Sequence, residues 1–452
     1  MNYLVLVSLC VVGCGRVNQS EGPDAAQPQI DAPLVDAPPR PRRTAISADA
    51  IAPFTAPNAM FARVPFASVA YDDEHEFALD TARFTATRRG HYQVCASLMG
   101  EQNVTFELDL FVNGLREKAF AFGTFVASGC RTVRLSPQDF VEVWIHQASG
   151  TPRLFGNNPF EDWLTIQEEP AQVSLIGRPA FSAPSSVFTK VPYSIREYDD
   201  RNEFDPATNQ FTAAQSGDYQ VCASLSVGAG LSFELDLFKN NVRERALAFG
   251  TGAATGCRVI RLGRGDQVTV QMLQVPMTTA TIQADAPWDW LTVRQVVADT
   301  SIGNTTSFSI PTSQFVTVPY ASELYDDHDN FDPATHRYTV EASSDYEICT
   351  SLFVPNSTDP VELNLVRSGV RDKATSLRAV ASDGCRITRA HIGDTIEIQA
   401  YSLSATITSV DSNISWNWLT VRAIPGSAQG IGRAQSVEER VLERTKRSRA
   451  GW

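Results

Sequence analysis

The sequence lacks the features of a nucleic-acid-binding protein and of a transmembrane protein. Its 38 Lys and Arg residues are outnumbered by 51 Asp and Glu residues, which gives a formal net charge of −13. Binding to nucleic acid needs clustered Lys and Arg against the phosphates, so this balance argues against it. The apolar run at residues 4–13 is about ten residues long, which is too short to span a bilayer. The sequence therefore argues against both of these classes of protein.

Recognisable catalytic and zinc-binding motifs are also missing. The sequence contains no Gly-x-Ser-x-Gly elbow, no phosphate-binding loop and no His-Glu-x-x-His. Its cysteines form no Cys-x-x-Cys pair of the kind that holds zinc. We therefore expect that the protein is not an enzyme and has no zinc centre.

Three tandem copies of one unit make up most of the chain. Val-Pro-Phe or Val-Pro-Tyr recurs at Val64, Val191 and Val318, 127 residues apart each time. Each copy ends in Trp-Leu-Thr followed by Val or Ile, at Trp163, Trp290 and Trp418. Several anchors in one register indicate a true repeat. We assign module 1 to residues 44–168, module 2 to residues 169–297 and module 3 to residues 298–424.

Within each copy the apolar residues follow the period of a β-strand. Phe106, Leu108 and Leu110 alternate with Glu107 and Asp109, which is typical of a half-buried strand. Turn-forming pairs such as Asn-Gly, Gly-Asp and Asp-Pro separate these runs. Because many short strands fall in about 125 residues, the fold class predicted is all-β, with three antiparallel sandwiches or jelly rolls.

A series of short motifs runs through module 2: Tyr198-Asp199, Phe204-Asp205-Pro206, Phe211-Thr212-Ala213, Gly217-Asp218-Tyr219 and the later Gly265-Asp266-Gln267-Val268. Their order resembles the head domain of complement C1q and its tumour-necrosis-factor-like relatives. The resemblance implies a ten-stranded jelly roll that usually forms trimers and serves in recognition. Ser136-Pro137-Gln138-Asp139 replaces the Gly-Asp turn in copy one, Ser344 replaces Gly217 in copy three, and Trp-Leu-Thr replaces the family's final Phe-Gly. No particular ligand transfers across these departures.

The N-terminal residues indicate export and lipidation. Val11-Val12-Gly13-Cys14 resembles the lipobox of bacterial lipoproteins, in which a small residue precedes the cysteine that is lipidated. Residues 1–13 are then a signal peptide, and residues 14–43, rich in Pro, Ala and Asp, form a tether. We expect a location in the bacterial cell envelope, anchored to the outer membrane or extracellular, with lipid as the membrane anchor. An ordinary secretory peptide is the alternative, because Met1-Asn2-Tyr3 carries no Lys or Arg.

Six of the eight cysteines fall two to a copy. The pairs are Cys95/Cys130, Cys222/Cys257 and Cys349/Cys385, at separations of 35, 35 and 36 residues. Regular pairs in an exported chain indicate one disulfide bond in each module. Alternation puts each cysteine on the face opposite the apolar residues of its strand. The strands that the resembled fold places side by side then bring the two sulfurs within reach.

Acidic pairs are the candidate metal ligands. They recur at equivalent positions: Asp72-Asp73, Asp199-Asp200 and Asp326-Asp327. Oxygen ligands on a loop suit calcium, but aspartate is also common where a turn needs its own backbone satisfied. The six histidines, which are the candidates for a catalytic site shared by all copies, do not recur; His91, for example, corresponds to Asp218 and Asp345. We therefore predict no obligatory cofactor, with calcium as the alternative.

Tryptophans mark a candidate assembly or ligand face. In the closing strands, Leu and Val alternate with Trp163, Trp288, Trp290, Trp416 and Trp418. If Leu and Val face the core, the tryptophans lie on the outer surface of the sheet. In the resembled family this surface lines a trimer axis. We therefore expect an intramolecular pseudo-trimer with the tryptophans toward its centre; the alternative is separate modules whose tryptophans bind ligand.

These patterns lead to three functional hypotheses. The first is a cell-envelope lipoprotein that displays C1q/TNF-like modules for recognition or adhesion, with an extracellular protein or glycan as partner. The second is a structural envelope protein without an exchangeable ligand, and the third is a secreted hydrolase with an unrecognised site. Residues 425–452 lie outside the repeat and are expected to be a flexible basic tail.

The lipobox gives a direct prediction. Replacing Cys14→Ala removes the lipidation site, so the protein should move from the detergent-soluble membrane fraction to the soluble fraction. Fractionation of cells that express the two forms measures this. A variant that stays in the membrane fraction would show that the anchor lies elsewhere.

Overall fold

The computed structural model describes residues 45–49, 53–156, 158–228, 230–274, 279–304, 306–355, 359–378 and 380–424. The predicted signal peptide, Cys14, the tether and the basic tail lie outside these residues. The described part of the chain consists of strands, turns and bends. It contains no helix that is long and apolar enough to cross a membrane.

Within the residue ranges given above, thirteen strands belong to each module. In module 1 they are β1 (Ala45–Asp49), β2 (Phe54–Ala56), β3 (Ala62–Arg63), β4 (Ser68–Asp72), β5 (Phe77–Ala78), β6 (Arg83–Thr85), β7 (Gly90–Met99), β8 (Thr105–Val112), β9 (Leu115–Thr124), β10 (Val126–Leu135), β11 (Phe140–Gln147), β12 (Arg153–Phe155) and β13 (Trp163–Glu168). In module 2 they are β14 (Val173–Ile176), β15 (Phe181–Ala183), β16 (Thr189–Lys190), β17 (Arg196–Asp199), β18 (Phe204–Asp205), β19 (Gln210–Thr212), β20 (Gly217–Ser226), β21 (Ser232–Lys239), β22 (Val242–Thr251), β23 (Ala253–Leu262), β24 (Gln267–Gln274), β25 (Ala280–Ile282) and β26 (Trp290–Val296). In module 3 they are β27 (Thr300–Gly303), β28 (Phe308–Ile310), β29 (Phe315–Thr317), β30 (Ser322–Asp326), β31 (Phe331–Asp332), β32 (Arg337–Thr339), β33 (Ser344–Phe353), β34 (Val361–Arg367), β35 (Val370–Arg378), β36 (Ala381–Ala390), β37 (Thr395–Ser402), β38 (Thr408–Val410) and β39 (Trp418–Ala423).

Two antiparallel sheets form the sandwich of each module. In module 1 the order of one sheet is β10-β7-β13-β1-β4, and we call it the axial sheet because it faces the other two modules. The other, the outer sheet, has the order β5-β6-β11-β8-β9, with β3 beside β11, and β2 pairs with β12 separately. The last strand lies between the first and the seventh, as crossing jelly-roll connections require. The same orders recur in modules 2 and 3, so the predicted all-β fold of three tandem jelly rolls is confirmed.

The hydrophobic core of each module lies between its two sheets. In the outer sheet Phe106, Leu108 and Leu110 are buried there. From the axial sheet, Leu164 and Ile166 of β13 complete the same core. The alternation of apolar and polar residues along these strands therefore predicted correctly which side chains face the core, because one side of each strand faces the other sheet.

Close backbone packing occurs where the chain passes from the outer to the axial sheet. Gly129, Gly256 and Gly384 each precede the second cysteine of their module. A Cβ atom on any of them would lie 2.0–2.1 Å from a carbonyl oxygen of the preceding strand. Only glycine fits at such a distance, which explains its presence in all three copies.

Module 1 has no glycine in the turn before β11, and Gln138 adopts a positive φ there instead. Gln138 adopts φ 73° in the turn before β11, where Gly265 and Gly393 adopt φ 87° and 86°. Asp139 still accepts the amide hydrogen of Ser136, as Asp266 does from Gly263. The turn is therefore retained without its glycine, at the cost of a conformation that non-glycine residues rarely adopt.

The three modules pack on one another around a common pseudo-threefold axis. We name the interfaces seam 1/2, seam 2/3 and seam 3/1 after the modules that meet there. Equivalent main-chain hydrogen bonds cross the three seams. They run from Ala119 N to Pro287 O (3.0 Å), from Ala246 N to Ser415 O (3.1 Å) and from Ala374 N to Phe160 O (2.9 Å). The chain thus forms an intramolecular pseudo-trimer.

This arrangement predicts a small particle in solution. For residues 44–424 we expect a radius of gyration of about 21 Å, the value for one compact body of this length. Small-angle scattering measures it, and tryptophan emission should be that of buried indole. A clearly larger radius, with emission typical of indole in water, would instead indicate separate modules.

Candidate functional site

A polar layer fills the centre of the ring. Gln93 of β7, Gln220 of β20 and Glu347 of β33 occupy equivalent positions on the three axial sheets, and all are buried. Gln93 Nε2 donates to Glu347 Oε1 at 2.7 Å, and Gln220 Nε2 donates to the same carboxylate at 3.0 Å. The three modules therefore meet through side-chain hydrogen bonds at the axis.

Two arginines and a second glutamate complete this axial layer. Arg294 Nη2 donates to Gln93 Oε1 at 2.6 Å and lies 3.4 Å from Glu347 Oε2. Arg422 Nη2 donates to Glu169 Oε1 at 3.0 Å, and its Nε donates to Glu347. Two cations thus face two anions, and none of these residues is more than 3% exposed. Buried charges are tolerated only when they are paired and hydrogen-bonded in this way.

Electrostatics keep Glu347 ionised despite its burial. Burial alone would raise the pKa of its carboxyl, but Arg422 and Arg294 outweigh that effect and lower the pKa to about 2. The carboxylate therefore stays charged at every physiological pH, and it is the shared acceptor of both arginines.

The three disulfide bonds lie beside this layer. Cys95–Cys130, Cys222–Cys257 and Cys349–Cys385 each join the two neighbouring strands of one axial sheet. The expected pairs are thus present, on the face away from the core of each sandwich. All six cysteines belong to one buried cluster with Trp163, Trp290 and Trp418. The sulfurs nearest Glu347 are those of a disulfide, so they offer no thiolate to a metal.

Trp163, Trp290 and Trp418 lie where neighbouring modules meet, in the same buried cluster as the six cysteines. Trp163 Nε1 donates to Ala374 O of module 3 at 2.9 Å, and Trp290 Nε1 donates to Ala119 O of module 1 at 2.8 Å. They are fully buried. They therefore act in assembly and are not presented to a ligand.

An arginine of the neighbouring module covers each of these rings. Arg386 lies 4.8 Å from the Trp163 ring, Arg131 lies 5.0 Å from Trp290, and Arg258 lies 4.2 Å from Trp418. Sequence reasoning missed these arginines. The signal was available, because Arg directly follows the second cysteine in all three copies.

The remaining two tryptophans belong to the same seams. Trp288 Nε1 donates to Glu107 Oε2 at 3.0 Å and meets the Phe122 ring edge-on. Trp416 stacks on Phe353 and packs against module 2. Module 1 carries Glu161 at this position, so seam 3/1 has no equivalent ring.

The recurring acidic pairs already have protein partners. The first residue of each pair caps a turn: Asp72 accepts from Phe77 N, Asp199 from Phe204 N and Asp326 from Phe331 N. Of the second residues, Asp73 pairs with Arg389 across seam 3/1 and Asp327 with Arg261 across seam 2/3, whereas Asp200 faces seam 1/2. This geometry matches the turn interpretation, and a calcium titration would test the alternative.

Three hairpin tips present equivalent apolar side chains to solvent. Leu115, Val242 and Val370 directly follow the tight turns that join the first two long strands of each outer sheet, and they are 75%, 69% and 70% exposed. Both residues of each turn have positive φ, as in type I′ turns. Asn113 fixes the first tip, because it donates to Asp139 and accepts from Phe140 N; Asn240 and Ser368 bond to equivalent partners.

One open cavity of about 440 Å³ lies in module 1 beside seam 1/2. Glu107 lines it, with His146 Nδ1 at 3.3 Å and Arg116 at 3.1 Å. Burial, and then the neighbouring Glu107, raise the pKa of Asp109 to about 7. Module 2 repeats the acid pair and its arginine with Glu234, Asp236 and Arg243, so the pair is a recurring part of the outer sheet.

Known proteins resemble this chain only in part. No protein-family model and no curated protein matches it. The Eiger TNF of S. frugiperda is 10% identical over 29% of this chain and 96% of its own, with a TM-score of 0.23. The globular domain of zebrafish complement 1qA is 18% identical over 28% and 96%, with a TM-score of 0.20. An archaeal virus protein described as a triple jelly roll is 9% identical over 84% and 91%, with a TM-score of 0.15.

These scores are low, and the jelly-roll assignment rests on the strand order and pairing within each module.

The axial layer predicts a large effect for one substitution. Glu347→Gln leaves two buried arginines facing one carboxylate, so the free energy of unfolding should fall by about 3–5 kcal/mol. The matched control is Glu101→Gln, which removes an ion pair with Arg153 that is more than one-third exposed on both sides and should lower the free energy of unfolding far less, because solvent screens exposed pairs. Denaturant unfolding measures both, and equal losses would contradict the role given to Glu347.

Proposed function

We propose that this chain is a bacterial cell-envelope lipoprotein that displays its three C1q/TNF-like modules for recognition or adhesion. The partner would be an extracellular protein or glycan, and the lipid on Cys14 would hold the ring at the envelope. No catalytic step is part of this proposal.

The observation that carries the proposal is the repetition of exposed side chains at the hairpin tips. A large apolar residue in water is unremarkable when it occurs once. Here it occupies the same position in three modules that are related by one axis. Each tip is held by a two-residue turn and by side-chain bonds to the neighbouring turn, so little ordering entropy would be lost on binding.

Three equivalent contacts around one axis favour multivalent binding. When one tip is engaged, the others are held near the same surface, and avidity can exceed the single-site affinity by about 10²–10⁴-fold. A surface with repeated epitopes, such as another cell or a polymer of the envelope, fits this arrangement better than a small molecule does.

The test is a comparison of binding by matched variants of the soluble Cys14→Ala form. The triple variant Leu115→Asp, Val242→Asp and Val370→Asp places a charge on every tip. The control triple variant is Leu79→Asp, Ile195→Asp and Ile392→Asp, which alters one exposed apolar residue in each module at positions that do not repeat. Fluorescently labelled proteins are applied to self and non-self cells and to a panel of glycans and cell-wall fragments.

We expect the tip variant to lose binding at least about a hundredfold and the control to retain it, since avidity is lost with the tips. Equal loss in both variants would contradict the role of the tips. Binding of the parent protein to none of these surfaces would instead favour the structural hypothesis. Turnover in a general hydrolase screen would favour the third hypothesis, and the cavity beside Glu107 and His146 would then be the first place to mutate.

A further inference from the structure

Two of the three seams are closed by the same clamp near their surface. In seam 2/3, Arg261 of module 2 bonds to its own Asp218 (2.8 Å) and to Asp327 of module 3 (2.6 Å). Its guanidinium lies 3.9 Å from the Tyr325 ring of module 3. A doubly paired and stacked arginine is among the stronger polar contacts that a protein surface offers.

Seam 3/1 repeats this clamp. Arg389 of module 3 bonds to Asp345 (2.8 Å) and, across the seam, to Asp73 of module 1 (2.6 Å). Its guanidinium lies 4.1 Å from the Tyr71 ring. The clamp is therefore an arginine between two aspartates and above a tyrosine.

Seam 1/2 is built differently, because His91 stands where the other modules have aspartate. The His91 ring itself packs on Tyr198 of module 2, with centroids 4.7 Å apart. Arg134 is the equivalent arginine and pairs in register with His91 on the β7–β10 ladder. Within the described residues Arg134 forms no ion pair with Asp200, the residue equivalent to Asp327 and Asp73.

The neutral ring of His91 accepts a main-chain hydrogen bond that an aspartate accepts in module 2. Ala298 N donates to Asp218 Oδ2 at 3.3 Å where the chain leaves module 2. At the equivalent place Ala171 N donates to His91 Nδ1 at 3.5 Å. A protonated imidazole has no acceptor to offer, so this bond requires the neutral form.

We propose that seam 1/2 is a pH-sensitive joint, which opens when His91 is protonated while seams 2/3 and 3/1 stay closed. Protonation removes the acceptor for Ala171 N and places a second cation beside Arg134 at the edge of the seam. Opening would uncover Trp290, which is buried in this seam.

The surroundings of His91 favour its neutral form in the closed seam. Arg134 faces His91 from β10, Tyr198 and Asp200 face it from module 2, and Glu168 and Glu169 lie beside it, at the end of β13 and directly after it. Glu169 is already engaged by Arg422 and Arg294. Burial and Arg134 lower the pKa of His91, and Asp200 opposes them without reversing the effect.

The difference between the pKa of His91 in the open seam and in the closed seam decides which form acid favours. In an open seam, His91 in water has a pKa of about 6.5. In the closed seam its pKa is lower, so the open form binds more protons and acid favours it. The stability of the seam is fully present above pH ~6.5 and declines as the pH falls from there toward the pKa of the closed form.

The three equivalent main-chain bonds across the seams provide a readout for each seam. Residue-resolved hydrogen exchange of Ala119 reports on seam 1/2, of Ala246 on seam 2/3 and of Ala374 on seam 3/1. Rates are measured on the full chain at pH 7.5 and 5.0 and are corrected for the intrinsic exchange rate at each pH. Two exchanges of residues between the seams serve as variants: His91→Asp, which restores the clamp residue, and Asp218→His, which removes it from seam 2/3.

In the native chain we expect the protection of Ala119 to be lower at pH 5.0 than at pH 7.5, because the open seam binds more protons than the closed one. Ala246 and Ala374 should keep their protection. His91→Asp should abolish the acid effect, and Asp218→His should transfer it to Ala246.

Several results would overturn the proposal. Unchanged protection of Ala119 in the native chain would do so, as would an equal fall at all three amides. Persistence of the effect in His91→Asp would show that another group titrates. If Asp218→His fails to fold, the comparison of the native chain with His91→Asp decides the question alone.

Discussion

The buried charge layer at the axis is the constraint on which the arrangement of this protein depends. Glu169, which directly follows the last strand of module 1, contributes one negative charge, Arg294 of module 2 one positive charge, and Glu347 and Arg422 of module 3 one of each. The two positive and two negative charges cancel. Three copies carrying Arg294 would bury three positive charges at the axis, and three copies followed by Glu169 would bury three negative charges. Because an unpaired buried charge is very costly, these combinations are strongly disfavoured.

The axial charges also explain why apolar seams lead to one defined structure. Tryptophans and disulfides cover the inner faces of the sheets in all three modules alike, and such surfaces alone would accept several orders of modules. The polar layer distinguishes the modules, since Gln93, Gln220 and Glu347 have different hydrogen-bonding capacities. Burial thus supplies the stabilisation of the ring, and the charges select its composition.

Much of this organisation could be predicted from the sequence, but the partners of the axial face could not. Alternation along a strand tells which residues share a face, and it correctly separated Leu164 from Trp163. It does not tell what covers that face, so it gave no sign that Gln93 and Glu347 are buried. The arginines over the tryptophans were also overlooked, although the repeated Cys-Arg pair marked them. Their burial becomes visible only when the neighbouring module is in place.

The three copies differ in the interior of the ring and are alike on its exterior. The histidines were set aside as catalytic candidates because they do not recur, yet the replacement of aspartate by His91 is what makes seam 1/2 unlike the others. On the exterior, by contrast, Leu115, Val242 and Val370 remain alike. The two patterns have different physical consequences. Asymmetry in the interior fixes which modules meet and, in the inference drawn above, how firmly each seam closes. Likeness at the tips would let three sites bind one repeating surface under the proposed function. A homotrimer would share the second property, but its identical seams could not respond separately to pH. One chain that contains three unequal modules can combine a multivalent surface with a single weak seam.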